Sequence, residues 1–237
     1  STNSQKSISE KVDIDYLNHI FLSNLDIFKK LSEKSEDIYT RELFNQISEK
    51  GINFPINKHV ELFIVKNKDK IEEIIKYLIF RYKFYISGKK KINLGYPPYL
   101  LIEPVSTCNL RCPFCFQTDK SFTKKPFMGI MKLELFKKVV DEADLLGIGA
   151  VTIASRGEPT LHKELDEMLI YLNNKKNIFE VKINSNGSFL TEKICNQIFD
   201  ANLSTIVISG DHYEKGKFEE LRKNSKFEKI VENVKML

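Results

Sequence analysis

The chain has 237 residues, 42% hydrophobic and 29% charged, which is enough apolar mass for one large domain or two small ones. Its net charge of +5 lies mostly in the first 98 residues, where 17 Lys and Arg face 13 Asp and Glu. With no dense basic stripe carrying interleaved aromatics, this argues against nucleic acid as a partner. No run of 18 apolar residues marks a membrane span, and no leader with an apolar stretch and cleavage site precedes the rest. Cysteines clustered in a chain without such a leader point to metal or redox chemistry in a reducing compartment, so a cytoplasmic protein is expected.

The first 95 residues are expected to form a small helical domain. Ile14, Leu17, Phe21, Leu25, Phe28 and Leu31 follow the spacing of one buried face and predict a single helix. A second helix is expected from about Asp37 to Gly51, with Ser35 as N-cap and Gly51 as the residue just past its end. A third carries Ile71, Ile74, Ile75, Leu78, Ile79, Tyr82 and Tyr85 and ends near Gly88. The stretch 89–98, basic and then marked by Gly and Pro, reads as a linker.

From residue 96 on the pattern changes. Strands are predicted at 99–107, 150–155, 179–185 and 204–209, alternating with helices at 132–146, 161–172, 191–201 and 226–237; Thr191 is the expected cap of the third of these. Alternation at this spacing predicts βαβ units and a parallel sheet, in a barrel-like or doubly wound α/β fold. Pro104 in the first strand places that strand at an edge.

Parallel α/β sheets hold their chemistry at the carboxyl ends of the strands. Every informative motif falls at such an end. Cys108-Asn109-Leu110-Arg111-Cys112-Pro113-Phe114-Cys115 follows the first strand, and Ser155-Arg156-Gly157-Glu158-Pro159 the second. Asn184-Ser185-Asn186-Gly187 closes the third and Ser209-Gly210-Asp211 the fourth. Thiolates suit zinc and iron–sulfur clusters. A structural zinc site wants four ligands, and beyond the triplet the chain offers His162 nearby and a fourth cysteine, Cys195. The latter lies mid-helix beside Ile194 and reads as a small buried hydrophobe.

The C-x3-C-x2-C triplet with an aromatic before its last cysteine, the Gly-Glu-Pro after the second strand and the strand-end Asn-Gly together resemble the radical S-adenosylmethionine (SAM) enzyme superfamily over roughly residues 99–237. Phe127-Met128-Gly129 and the Glu219…Arg222…Phe227…Asn233 pattern look like the subgroup with a C-terminal SPASM or twitch domain. The resemblance implies a partial (β/α) barrel. It implies a [4Fe–4S] cluster on Cys108, Cys112 and Cys115, with SAM on the fourth iron. Reductive cleavage of SAM would then give a 5′-deoxyadenosyl radical that takes hydrogen from a peptide or small-molecule substrate. An electron donor such as a flavodoxin or ferredoxin is implied as partner.

By the same resemblance Phe114 would lie near the adenine. Gly157, Glu158 and Pro159 would meet the SAM amino group, and Asn184, Ser185 and Asn186 its ribose or carboxylate. Ser209 and Arg222 are further candidates for ribose and carboxylate. The plainer readings make Phe114 a core aromatic, Asn184 and Asn186 turn-formers, and Ser209 and Asp211 strand-end caps. They leave Arg222, His162 and His212 on the surface. Arg156 stands where many relatives carry glycine. The family's barrel has six β/α units and four are seen here, so an N-terminal portion of a longer enzyme is expected. The competing readings are a non-catalytic iron–sulfur or zinc module, and an inactive truncated fragment.

Overall fold

The computed structural model describes residues 14–34, 37–201 and 203–237. It forms two compact units, Ser1–Leu94 and Gly95–Leu237. No helix among the described residues is long and apolar enough to cross a membrane.

In the first unit the apolar stripe predicted as one helix is two, α1 (Ile14–Ser23) and α2 (Leu25–Lys34). The break is at Asn24, whose side-chain Nδ2 donates to Ile20 O at 2.8 Å, an alternative to the helical ladder that asparagine readily offers. Helix α3 (Ile38–Lys50) begins at Asp37, whose carboxylate accepts from Tyr39 N, and ends at Gly51 with φ 74°. Ser35, the expected cap, lies outside the described residues. Helix α4 (Lys58–Lys66), capped by Asn57, was not expected; its short, charged sequence buries only Val60 and Ile64. Helix α5 (Ile71–Lys89) buries Ile74, Ile75, Leu78 and Tyr82 as its periodicity predicts, and runs one residue past Gly88.

The second unit is a four-stranded parallel sheet in the order β1 (Tyr99–Ile102), β2 (Ala150–Ile153), β3 (Glu180–Ser185) and β4 (Thr205–Ile208). The register aligns Ile102, Ile153, Ile183 and Ile206 in one row across the sheet. Side chains alternate faces along a strand. That row, with Val151 and Val181, therefore faces helices α6 (Leu133–Leu146), α7 (Leu165–Asn173) and α8 (Glu192–Asp200), where Phe136, Val140, Met168, Leu169, Leu172, Cys195 and Ile198 close the core. The opposite face carries Leu101, Thr152, Lys182, Asn184 and Val207. Polar residues are tolerated there because they do not pack under the helices. Thr191 caps α8 as expected, its hydroxyl accepting from Ile194 N.

Strand β1 is an edge, as Pro104 predicts, but stops at Ile102. Beyond it the chain changes partner: Val105 bridges Ile130 antiparallel, and Pro104 O accepts from Met131 N at 2.7 Å. After β4 the short helix α9 (Lys215–Leu221) precedes α10 (Phe227–Val234); α9 was also missed, having only Phe218 as a buried anchor. Phe136, fully buried at the centre of α6, sets the scale of this core. Phe136→Ala is expected to cost about 3–5 kcal/mol, read as a lowered urea midpoint with an unchanged m-value.

Candidate active site at the strand carboxyl ends

The four turns meet at one end of the sheet. Glu103 follows β1, and its carboxylate is gripped by Arg156 from the turn after β2. Nη2 lies 2.6 Å from Oε1, Nε 2.9 Å from Oε2, and the Arg156 backbone N–H donates to Oε2 at 2.8 Å. Burial raises the Glu103 carboxyl, but the guanidinium and these N–H and hydroxyl donors hold it down to about 2. Arg156 also reaches Phe127 O at 2.9 Å through Nη1. Neighbouring Ser155 sits at φ 110°, a strained backbone for a residue with a Cβ. Gly157 could be nothing else: a Cβ there would lie 1.8 Å from Val105 O and 2.9 Å from Thr107 O. The turn after β2 is thus pressed against the backbone that leads into the cysteines, and Glu158 N donates to Thr107 O at 2.9 Å.

Glu158 is 2% exposed. Its Oε1 accepts from the hydroxyls of Thr160 (2.6 Å) and Ser185 (2.7 Å), and its Oε2 from Asn186 N (2.7 Å). The carboxylate therefore ties the β2 end to the β3 end and points away from the open side of the turn. Of the backbone carbonyls of this turn, Glu158 O already accepts from Leu161 N at 3.0 Å and Pro159 O from His162 N at 2.9 Å, which leaves Gly157 O to meet an ammonium group. Asn186, also buried, passes the tie onward. Its Nδ2 donates to Asn109 Oδ1 at 2.9 Å and lies 3.8 Å from Cys108 Sγ, while its Oδ1 accepts from Ser188 N.

Leu110 N donates to Cys108 Sγ at 3.4 Å, and Cys115 N to Cys112 O at 3.0 Å. Gln117, buried just past the last cysteine, donates to Ser106 O and Arg156 O at 2.8 and 2.6 Å and so joins the turns after β1 and β2. Burial pushes the Cys108 and Cys112 thiols up; the Arg222 guanidinium works against this at Cys112. Arg222 is itself buried and paired with Asp211, Nε to Oδ2 at 2.5 Å, so it is not the surface residue of the plainer reading.

Other expected residues fall as follows. Phe114 is 59% exposed and is not a core aromatic. Asn184, near the end of β3, has a buried Oδ1 with no hydrogen-bond partner among the described residues. Ser209 is held by its N–H to Ser185 O at 2.8 Å. His162, read as a surface residue, is buried: its Nδ1 accepts from Glu164 N, which leaves Nε2 to donate to Met131 O at 2.9 Å. His212 stacks on Tyr213 and accepts from Glu214 N. Asn233, noted only as part of a subgroup pattern, donates to Gly187 O and Ser188 O and moors α10 under the β3 turn.

The sequence profile of the Radical SAM superfamily matches residues 102–237, more than half the chain. The chain belongs to the radical SAM superfamily. Its curated radical SAM relatives include a GTP 3′,8-cyclase of Clostridium botulinum, 29% identical over 61% of this chain and 43% of that one. A tungsten-containing aldehyde ferredoxin oxidoreductase cofactor-modifying protein of Pyrococcus furiosus is 30% identical over 48% and 30%. The chain thus spans less than half the length of these relatives. Among solved structures, anSMEcpe with bound AdoMet matches at TM-score 0.50 and 26% identity, covering 58% of this chain and 40% of that one. SuiB of Streptococcus suis bound to S-adenosylmethionine matches at TM-score 0.53 and 19% identity, over 95% and 48%; at that identity it shows the fold alone. The parallel sheet is that of the radical SAM partial barrel.

The superfamily's cofactors are a [4Fe–4S] cluster and SAM, and the residues here fit them. Three thiols share one turn, whereas both candidates for a fourth zinc ligand are committed elsewhere, His162 to backbone and Cys195 to the helix core. Among the described residues no three His, Cys, Asp or Glu side chains converge on a single ion. A cubane makes no such demand, because it spreads its three thiolates over three irons. The unpartnered Asn184 carbonyl suits a hydroxyl donor.

Two outcomes follow. Gly157→Ala must push the two turns apart, so it is expected to destabilise the fold by more than about 2 kcal/mol and to lower iron uptake; thermal melts and iron analysis check this. The depressed Glu103 carboxyl makes stability full above its ordinary value of 4.5 and lost as pH falls toward about 2. Urea titrations at stepped pH are expected to show that loss in the wild type and a flatter profile over the same window in Glu103→Gln.

Proposed function

We propose that this chain is the cofactor-binding core of a radical SAM enzyme, in which Cys108, Cys112 and Cys115 hold the [4Fe–4S] cluster. When bound, the cluster and SAM supply a 5′-deoxyadenosyl radical for hydrogen abstraction. The observation that carries the reading is the thiol triplet at the end of β1, braced by Asn186 and Gln117, with the other candidate ligands of the site already engaged. Phe114, exposed beside the triplet, offers a ring for the adenine. Gly157 O accepts from the SAM amino group, while Glu158 and Pro159 hold the turn that presents it through their bonds to Leu161 N and His162 N. Asn184 Oδ1 and Ser209 receive ribose hydroxyls, and Ser185 and Asn186 act through the turn they hold. Arg222, paired with Asp211 and close to Cys112, offsets the negative charge of the ligated thiolates.

The relatives are named for unlike substrates, GTP in one case and the cofactor of an oxidoreductase in another. We therefore assign substrate choice to residues outside the strand-end turns, with a small molecule or a peptide as substrate and a flavodoxin or ferredoxin as electron donor. Anaerobic reconstitution followed by iron and sulfide analysis and reduction with dithionite in the presence of SAM tests the reading. Iron and sulfide in equal amounts and 5′-deoxyadenosine as product are expected. Alanine at Cys108, Cys112 or Cys115 abolishes both, while Cys195→Ala keeps them. Zinc without sulfide would overturn the proposal. Asn184→Ala is expected to weaken SAM binding roughly five- to tenfold, the worth of about one hydrogen bond, at unchanged iron content; equilibrium dialysis reads it.

A further inference from the structure

We propose that the exposed aromatic face immediately after Cys115 is the docking surface for a small acidic protein that delivers single electrons. The inference rests on the cluster reading above, which requires that electrons reach the triplet from outside.

Phe116, Phe122 and Phe127 are 49%, 39% and 45% exposed, although large apolar side chains normally gain by burial. They are not scattered. Phe122 meets Phe116 edge-on with ring centroids 6.0 Å apart, and meets Phe127 at 5.6 Å, so the three rings form one continuous patch. Contiguous exposed apolar surface with a polar rim marks an interaction site, whereas single exposed hydrophobics are ordinary. The patch is also held rigidly against the site. Cys115 O accepts from both the N–H and the hydroxyl of Thr118, at 3.0 and 2.9 Å, and Phe127 O accepts from Arg156 Nη1. A partner seated on these rings contacts the segment that directly follows Cys115.

The rim identifies the partner's chemistry. Between Arg111 and Lys132 the chain has five cations, Arg111, Lys120, Lys124, Lys125 and Lys132, against one carboxylate, Asp119. Asp119 is occupied in accepting from Ser121 N at 2.9 Å. Lys120, Lys124 and Lys125 are exposed and pair with no carboxylate among the described residues. Exposed ammonium groups interleaved in sequence with the aromatic patch complement an acidic surface and would steer its approach. The exchange balances with the partner alone: the reduced donor loses one electron, and the oxidised cluster gains it.

The test uses flavodoxin as the probe and has two readouts. Binding of oxidised flavodoxin to the reconstituted protein is measured by calorimetry at low and raised salt, and 5′-deoxyadenosine formation is compared with flavodoxin hydroquinone and with dithionite as reductant. Micromolar binding that weakens with salt is expected. The triple reversal Lys120→Glu, Lys124→Glu, Lys125→Glu is expected to weaken binding at least tenfold and to slow the flavodoxin-driven reaction, with the dithionite-driven rate and the iron content unchanged. Phe122→Ala, which leaves the rim intact, is expected to weaken binding with no change in salt dependence. Binding and flavodoxin-driven rates that ignore all four changes would overturn the docking proposal while leaving the cluster reading intact. Absence of product with dithionite would instead overturn the cluster reading. A concentration-dependent dimer that the reversals dissolve would assign the face to a second copy of the chain, and this too would overturn the proposal.

Discussion

A buried carboxylate needs its acceptors filled, and at Glu158 the donors come from its own turn and from the end of β3: Thr160, Ser185 and the backbone of Asn186. That requirement fixes the β2 turn against the β3 turn. Asn186, held by its backbone, then has its side chain free to reach Asn109 and Cys108. The position of the first cysteine is therefore set two strands away. Gly157 completes the constraint from below, because its missing Cβ is what lets the β2 turn lie on the carbonyls of Val105 and Thr107.

Around this knot the remaining polar groups act as ties of longer reach. Arg156 takes Glu103 from the end of β1 and Phe127 O from the segment beyond the cysteines. Gln117 binds the carbonyls of Ser106 and Arg156. Arg222 and Asp211 bring the β4 end and α9 alongside Cys112, with Arg111 N donating to Lys223 O at 2.9 Å. Arg156 and Gln117 both join the β1 end to the β2 end, and Arg222 with Asp211 adds the end of β4. The sheet supplies the direction of the turns and these ties supply their spacing.

What could be read without the structure follows from the range of the interactions involved. Apolar periodicity is local, so the alternating strands and helices of the second unit, the caps at Thr191 and Gly51 and the edge position of β1 were all legible. So was the spacing of the three cysteines. The single helix expected over residues 14–31 failed because periodicity does not register one side chain, Asn24, competing for a backbone carbonyl. Helices α4 and α9 were missed because each buries too few residues to stand out. The pairing of Glu103 with Arg156 spans 53 residues and that of Asn186 with Asn109 spans 77, and neither end announces the other. A lone carboxylate closing the apolar run of β1, and a polar residue two places after the last cysteine, were the only hints of Glu103 and Gln117. His162 was read as exposed because nothing near it in sequence predicts the Met131 carbonyl that buries it.

The braces of the cysteine turn end on protein atoms: amide nitrogens, carbonyls and two asparagine side chains. In a zinc finger the free energy of metal binding is the free energy of folding, and a chelator denatures the domain. In this turn the bracing bonds run between protein groups and not through a metal. A cluster lost to oxygen would leave those bonds in place, and the same scaffold could be loaded again.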